Sequence, residues 1–255
     1  MIDPILLATA AGGAALGGVM IYGTFVPQSQ FWGRVICTGP ATDPPAIALT
    51  FDDGPTPGPT EQVLDILGTA GVKAAFFVIG VNCRRAPALL RRIHAEGHLI
   101  GNHTFDHSHT GSYGMQPYWD RQLRQTDDAI ADAIGLRPAM FRPPMGIKTF
   151  HTMRAAKKLG QQVIGWTRKA RDGVATTPAA ILARLQEKTS PGDILLLHDG
   201  IEPNALHRDP QPTLQALPVL IDRLTQRGLT MQRLDAVLQL PAYQQPTPAQ
   251  TPAAV

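Results

Sequence analysis

The sequence predicts an α/β fold in which parallel strands are covered by helices. Short apolar segments alternate with amphipathic helical segments from Ala46 onward, and the chain of 255 residues is long enough for one such domain. Charged and histidine residues follow several of the apolar segments, where parallel α/β folds place their functional groups. Both a barrel and a doubly wound sheet fit this alternation.

The individual elements follow from apolar runs, from helical periodicity and from the glycine or proline residues at their ends. Strands are expected, in chain order, at AIALTF from Ala46, KAAFFVIG from Lys73, HLIGN from His98, AMFR from Ala139, QVIGW from Gln162, GDILLLHDG from Gly192 and LTMQRL from Leu229. Helices are expected over residues 60–69, 87–96, 118–134, 150–159 and 213–227, with another beginning at Pro178.

The two ends of the chain differ in composition from this central part. Residues 1–30 contain a hydrophobic leader or membrane anchor, residues 31–45 form a connector rich in proline and glycine, and residues 46–240 form the predicted domain. Residues 241–255 are rich in proline, alanine and glutamine and have almost no apolar side chains to bury, so we expect a disordered tail.

The overall charge argues against nucleic acid as a partner. The 23 basic and 20 acidic residues are spread along the chain and give a net charge of only +3, and 6% of the residues are aromatic. Cys37 and Cys83 form either one disulfide or two buried free thiols. Because the chain has no CxxC pattern, any metal must be held by histidine and carboxylate groups.

The apolar stretch near the N-terminus suggests association with a membrane. Residues 5–26 carry no charge and are about as long as the ~20 residues that a helix needs to cross a bilayer. The stretch is rich in glycine and alanine, and no basic residue precedes it, unlike a secretory signal. A leader helix packed on protein is the alternative, and we favour an anchor or an uncleaved export signal.

Two carboxylates follow the first predicted strand directly. Asp52 and Asp53 are adjacent, and like charges so close together require a compensating cation or arginine. Arg142, Asp172 and His198 follow later strands and are expected at the same end of the sheet. By itself, an Asp-Gly-Pro sequence is also ordinary turn chemistry.

A pair of histidines predicts a metal site near these carboxylates. His103 and His107 are four residues apart, which is one helical turn and would let both rings face one ion. Such pairs are also common among surface histidines. Asp53 would supply an oxygen ligand and complete the two-histidine, one-carboxylate set of hydrolytic zinc sites. His198 follows four apolar residues and is read as a general acid rather than as a structural histidine.

Five motifs in this order resemble those of the NodB-like polysaccharide deacetylases, carbohydrate esterase family 4. They are TFDDGP at Thr50–Pro55, HTFDH at His103–His107, RPPMG at Arg142–Gly146, WTRKARD at Trp166–Asp172 and LLLH at Leu195–His198. The resemblance spans about residues 46–238 and implies a distorted, incompletely closed (β/α) barrel of the NodB type.

The resemblance also implies a role for each residue of these motifs. Asp53, His103 and His107 resemble the metal ligands; zinc is the expected ion, with cobalt or nickel as alternatives. Asp52 resembles the general base and His198 the general acid. Arg142 resembles the residue that orients the base, and Asp172 the one that orients the acid. The implied substrate-binding residues are Pro143, Met145, Gly146, Trp166 and Leu197, with the backbone N–H of Met145 stabilising the oxyanion.

The implied activity is removal of N-acetyl groups from an N-acetylated glycan of the peptidoglycan or chitin type. Met145 stands where the family usually has an aromatic residue, and Gly173 where a tryptophan commonly follows, so the sugar-binding groove is expected to differ. The alternatives are a deacylase for another group, such as a formyl group on a lipid-linked sugar or an O-acetyl ester, and a non-catalytic glycan-binding relative. The anchor would place the domain at the membrane or outside the cytoplasm.

Overall fold

The computed structural model describes residues 17–203 and 209–245. Its centre is one curved sheet of eight strands, and every strand pair in it is parallel. The strands are β1 (Ala46–Asp52), β2 (Ala75–Val78), β3 (Leu99–Asn102), β4 (Met140–Phe141), β5 (Gln162–Val163), β6 (Arg168–Lys169), β7 (Ile194–His198) and β8 (Thr230–Met231).

Helices surround the sheet. In chain order they are α1 (residues 17–25), α2 (Pro59–Ala70), α3 (Gly80–Arg85), α4 (Pro87–Ala95), α5 (Gln116–Ile134), α6 (Phe150–Lys158), α7 (Pro178–Leu185), α8 (Gln211–Gln226) and α9 (Leu234–Leu238). The strand order is β5-β4-β3-β2-β1-β7-β6, and β8 pairs with the start of β1. The sheet therefore curls into an open half-barrel, which confirms the predicted distorted and incompletely closed (β/α) barrel.

The two faces of β1 show how the sequence positions the site. Ile47, Leu49 and Phe51 belong to the main core cluster, which packs against helices such as α2 and α8. Because side chains alternate along a strand, Thr50 and Asp52 point to the opposite face, inside the half-barrel. That face contains a second apolar cluster, so the carboxylate of Asp52 lies at the end of a packed layer of side chains.

The predicted elements are present, with ends shifted by a few residues. The strand expected at QVIGW is shorter: β5 ends at Val163, and Ile164 instead forms an isolated bridge to Ile36. The short elements α3, α9 and β6 were not predicted, because each has too few residues for a periodic pattern to be visible.

The packed structure extends beyond both ends of the predicted domain. Val35 and Ile36, in the predicted connector, are buried, and Tyr243 in the predicted tail forms a bridge to Pro138. Residues 1–16 of the leader and 246–255 of the tail lie outside the described residues. Within the described ranges, no helix is long and apolar enough to cross a bilayer. Cys37 and Cys83 are both free thiols, so the disulfide alternative is wrong.

Candidate active site

The register of the sheet brings the sequence-predicted residues together. β1 lies between β2 and β7, and Asp52 at its end is paired in register with Phe77 on one side and with His198 on the other. Asn102, the last residue of β3, is paired with Phe141 of β4. The residues that follow these strands, His103 and Arg142 among them, therefore meet at one end of the half-barrel.

Asp53, His103 and His107 form a buried cluster of three ligand-type atoms. Asp53 Oδ1 lies 3.5 Å from Nε2 of His103 and 3.5 Å from Nε2 of His107. All three residues are buried, and they form one of the groups of side chains that have the geometry to hold a metal ion. Burial lowers the pKa of His103, which favours the neutral imidazole that metal binding requires.

The two histidines do not lie on a helix, so the prediction of a helical turn was wrong. Their Nε2 atoms nevertheless both face Asp53. Residues 103–109 form an irregular loop after β3. Thr104 and His107 have φ angles of 67° and 52°, which turn the loop tightly enough to bring the second ring back over the first. The ring centroids of His103 and His107 are 4.9 Å apart.

This cluster fits a divalent cation. Asp53 Oδ1 is buried and has no hydrogen-bond partner among the described residues, which is costly unless something else satisfies it. Ligands about 2.0–2.1 Å from a tetrahedral ion lie roughly 3.3–3.4 Å from one another, close to the observed separations. His103 Nδ1 lies 2.7 Å from the carbonyl oxygen of Arg142, so its proton is held there and Nε2 is left to coordinate.

Glu202 is a site residue that the sequence analysis missed. Its Oε2 lies 3.3 Å from Nδ1 of His107 and 2.7 Å from Nε2 of His109. Burial acts to raise the pKa of Glu202, but the contacts with His107 and His109 outweigh it and lower this pKa to about 2. Glu202 is hydrogen-bonded to His109 and lies in ion-pair contact with Nδ1 of His107, on the side of that ring away from Asp53, so it is read as the partner that orients His107.

Asp52 is held by a fully buried arginine. Arg142 Nη1 donates to Asp52 Oδ1 at 2.7 Å and to Thr50 Oγ1 at 2.8 Å, and Nη2 donates to the carbonyl oxygen of Gly165 at 3.0 Å. The guanidinium also lies over the ring of Phe77, 4.1 Å from its centroid. The other oxygen of Asp52, Oδ2, is 3.7 Å from His103 Nε2 and so faces the three-residue cluster.

His198 is oriented by Asp172. Nδ1 of His198 lies 2.7 Å from Asp172 Oδ1, and the His198 backbone N–H donates to Asp172 Oδ2 at 3.0 Å. Thr213 Oγ1 donates to the same Oδ2 at 2.7 Å. With Nδ1 engaged, Nε2 of His198 points toward the cluster and lies 4.0 Å from Asp53 Oδ2.

The predicted substrate-binding residues are divided between an exposed loop and the core. Met145 is 42% exposed, whereas Pro143, Gly146, Trp166 and Leu197 are buried. Trp166 packs so closely on Gly146 that a Cβ there would lie 2.8 Å from its Cη2 atom. Leu197 belongs to the main core cluster. The structure therefore leaves Met145 as the one exposed side chain of this predicted set.

Unusual backbone geometry is concentrated at these motifs. Six described residues other than glycine have a positive φ. One is Gln239, and the other five lie in the sequence motifs: Asp53, Thr104, His107, Met145 and Arg171. Left-handed conformations cost energy for residues with a side chain and are typical of functional sites. Each of the first four motifs contains at least one of them.

Helix α5 holds the loop of residues 103–109, here called the histidine loop, through side-chain hydrogen bonds. Asn102 Nδ2 donates to Asp127 Oδ1 at 2.8 Å, and Asn102 Oδ1 accepts from the backbone N–H of Thr104 at 2.9 Å. Gln122 Oε1 accepts from the backbone N–H groups of Phe105 and Asp106 at 2.8 and 3.1 Å. These polar contacts fix the loop that carries both histidines.

Comparison with known proteins places the chain among deacetylases. The family model "Polysaccharide deacetylase" matches residues 39–164. A chitooligosaccharide deacetylase of Sinorhizobium fredii is 35% identical over 76% of this chain and 92% of that protein. A peptidoglycan-N-acetylglucosamine deacetylase of Bacillus cereus is 34% identical over 71% of this chain and 83% of that protein.

Solved structures agree in fold. The Bc1960 peptidoglycan N-acetylglucosamine deacetylase superposes with a TM-score of 0.76, at 27% identity over 82% of this chain and 95% of that one. A family 4 carbohydrate esterase from Streptomyces lividans, solved with acetate, has a TM-score of 0.66 at 30% identity, covering 73% of this chain and 91% of that one.

Proposed function

The chain belongs to the polysaccharide deacetylase family, and we propose that it removes N-acetyl groups from an N-acetylated glycan in a reaction that depends on a divalent metal ion. The observation that carries this proposal is the surroundings of Asp53. Within 4.0 Å, its carboxylate meets the Nε2 atoms of His103, His107 and His198. A ligand set and an acid are thus gathered around one point, with Asp52 beside them.

Asp53, His103 and His107 are the residues that would hold the cation, and zinc is the ion we propose for this nitrogen and oxygen donor set. A bound zinc ion supplies Lewis acidity, which polarises a carbonyl group and lowers the pKa of water. We propose that Glu202, through its contact with Nδ1 of His107, keeps Nε2 of that ring turned toward Asp53.

Asp52 is proposed as the general base. Arg142 engages Oδ1 and orients the carboxylate, while Oδ2 faces the cluster and is available to accept a proton from the attacking water. Because Arg142 and Asp52 are both buried, solvent and salt screen their attraction only weakly, which favours one orientation of the carboxylate.

His198 is proposed as the general acid that protonates the departing sugar amine. Asp172 accepts a hydrogen bond from Nδ1–H and would stabilise the charged imidazolium, and the proton on Nε2 is the one proposed to be transferred. The backbone N–H of Met145 is the proposed oxyanion donor, and its positive φ of 56° fixes the direction of this loop. Trp166 is proposed to bound the space for the acetyl methyl group, whereas Leu197 packs in the main core cluster on the other face of the sheet and is not assigned this role.

A glycan containing N-acetylglucosamine is the proposed substrate class. The relatives are named as deacetylases of chitooligosaccharide and of peptidoglycan N-acetylglucosamine. The groove next to the site has a flexible Met145 side chain and no side chain at Gly173, which lies beside His198. We propose that sugar rings are held here by fewer aromatic contacts than in relatives with an aromatic residue at those positions.

We also propose that the protein is held at a membrane through residues 5–26, with its catalytic domain outside the cytoplasm. The uncharged stretch supports this, and helix α1, residues 17–25, is the part of it that the structure describes. Fractionation of cells and protease accessibility of the domain test this placement. Recovery of the intact chain in the soluble cytoplasm would contradict it.

The test of the proposed reaction is acetate release by the full chain from N-acetylglucosamine oligomers and from peptidoglycan. We expect release that stops on chelation and returns when zinc is added. A folded protein that binds one zinc ion but releases acetate from neither glycan would overturn the assigned substrate. Formate release from an N-formyl sugar would then identify a different acyl group.

A further inference from the structure

Helix α1 presents an apolar surface to solvent. Of its residues, Ile21 is 62% exposed and Tyr22 59% exposed, and Val19, Met20 and Phe25 are also exposed. Soluble proteins rarely expose so many large apolar side chains on one short helix. Residues 5–16, which precede the helix in the sequence, carry no charge either.

This apolar surface continues onto the rim of the catalytic site. The rings of Phe25 and Tyr113 are 6.3 Å apart between centroids, and Tyr113 follows His107 by six residues. Three further side chains, Met115, Met145 and Phe150, are also exposed and apolar. The segments that carry Met115 and Phe150 meet where His151 Nδ1 lies 3.4 Å from Gln116 Oε1. We call the set of Phe25, Tyr113, Met115, Met145 and Phe150 the apolar rim.

Hydrogen bonds connect the end of helix α1 to residues 145–148, the loop that carries Met145. The buried Lys148 donates from Nζ to the carbonyl oxygens of Val26 and Pro27 at 2.8 and 3.1 Å, and its backbone N–H donates to the carbonyl oxygen of Thr24 at 3.2 Å. Pro27 packs on Gly146, where a Cβ would lie 2.7 Å from the proline ring. Helix α1 is therefore held directly against the loop that carries Met145.

A basic groove lies next to the rim. Its volume is about 580 Å³, and its lining includes Trp32, Arg34, Phe150, Arg154 and Lys157. Three cationic side chains beside two aromatic rings suit the interface of an anionic bilayer, where basic groups meet lipid head groups and aromatic rings lie at their level.

We propose that α1, the apolar rim and the basic groove rest together on an anionic lipid bilayer, so that the catalytic mouth opens at the membrane surface. The occupant is a bilayer because the apolar surface is continuous with an uncharged stretch of chain and is bordered by cations. This inference rests on the proposed function and narrows its substrate to a glycan presented at the membrane, such as one carried on a lipid.

The test of docking uses the full chain in vesicles of phosphatidylcholine with and without phosphatidylglycerol, and needs no substrate. Brominated lipid should quench the fluorescence of Trp32, because Trp119 and Trp166 are buried, and a Trp32→Phe chain supplies the blank. We expect quenching to increase with phosphatidylglycerol and to fall at least severalfold in Arg154→Glu/Lys157→Glu and in Tyr113→Ser/Met115→Ser.

Control variants change exposed residues that belong to neither the apolar rim nor the basic groove. Lys188→Glu/Arg223→Glu makes the same change of charge, and Val219→Ser removes an exposed apolar side chain from α8; both should quench like the unmodified chain. Absence of quenching in the unmodified chain, or equal quenching in rim, groove and control variants, would overturn the docking surface.

The substrate arm compares one N-acetylated oligosaccharide in free form and attached to a lipid in the same vesicles. Confinement to the membrane should raise kcat/KM for the lipid-attached form by about tenfold or more, and the groove variant should lose this gain while keeping its rate on the free form. Turnover of the free form in detergent tests the proposed function separately. Equal kcat/KM values for both forms would overturn the membrane-presented substrate.

Discussion

Asp52 and Asp53 are neighbours in the chain, yet the backbone sends their carboxylates to different partners. The positive φ of Asp53, 77°, turns its side chain toward the two histidines, while Asp52 ends the strand and meets Arg142. Two adjacent carboxylates would otherwise repel each other. Asp52 is balanced by a buried guanidinium, and we propose that a bound cation balances Asp53, whose Oδ1 has no hydrogen-bond partner among the described residues.

Substitutions of Asp52 and His103 should therefore separate turnover from metal binding. Asp52→Asn keeps an oxygen for Arg142 but removes the base, so the rate should fall about 10²–10⁴-fold while zinc stays bound. His103→Ala removes a ligand and should lose zinc and turnover together. Metal content by elemental analysis and acetate release measure the two effects. Equal metal content and equal rates in both variants would refute the assigned roles.

Glu202 provides a second prediction at the scale of single residues. Glu202→Ala should weaken zinc affinity about 10–100-fold, because the ring of His107 loses the carboxylate that orients it. Glu202→Gln keeps an oxygen acceptor, so its zinc affinity should lie between those of the unmodified chain and Glu202→Ala. Competition with a chromogenic chelator measures the dissociation constant, and the exposed Glu187→Ala serves as the control. An unchanged zinc affinity in Glu202→Ala would show that Glu202 only packs.

The sequence could predict the residues at strand ends but not Glu202. Asp52, His103, Arg142 and His198 each follow an apolar segment or lie at its end, so the parallel sheet places them together. Glu202 lies four residues after the end of β7 and contacts His107, which lies in the loop after β3. No local pattern in the sequence marks such a contact.

At the scale of elements, the histidine loop depends on helix α5. The sequence indicated a helix there but gave no reason to connect it with His103–His107, which was read as a helical turn. The connection is made by buried polar side chains. Asn102, at the end of β3, donates to Asp127 of α5, and Gln122 of α5 accepts from the backbone of the loop. Amphipathic periodicity identifies which residues of a helix are apolar, and it cannot identify which buried polar residues pair with another element.

Asp127 should make stability depend on pH. Burial raises its pKa to about 7, although Asn102 and Gln161 donate hydrogen bonds that act in the opposite direction. Between the unfolded value near 3.9 and about 7, the folded protein holds a proton that the unfolded chain has released. The free energy of unfolding should therefore fall as the pH rises through this window, by at most about 4 kcal/mol.

Asp127→Asn should remove this dependence and leave the protein more stable than the unmodified chain at pH 8. Urea unfolding at several pH values, with metal chelated throughout, measures the effect. Asp132→Asn changes an exposed carboxylate on the same helix and is the control. Parallel pH profiles for the unmodified chain and Asp127→Asn would show that Asp127 is ionised in the folded protein at neutral pH.

At the scale of the whole molecule, the fold was predictable because every strand pair is parallel and the motifs follow the strands in order. The limits of the packed unit were less accessible to sequence analysis. Proline and glycine in residues 31–45 suggested a connector, but isolated apolar residues within such a segment can still be buried. Ile36 hydrogen-bonds to the backbone around Val163 and Gly165 and adds a bridge at the edge of the sheet.

A fragment of residues 46–240 should accordingly be less stable than one of residues 27–245. The shorter fragment lacks Val35 and Ile36, and burial of each such side chain contributes roughly 1.5–3 kcal/mol. It also lacks Tyr243, whose ring packs against His94. Fragments 27–240 and 46–245 separate the two ends, and their losses should add, because Ile36 and Tyr243 contact different parts of the sheet. Thermal unfolding provides the comparison: if fragment 46–240 unfolds at the same temperature as 27–245, the connector and the tail contribute nothing to the folded domain.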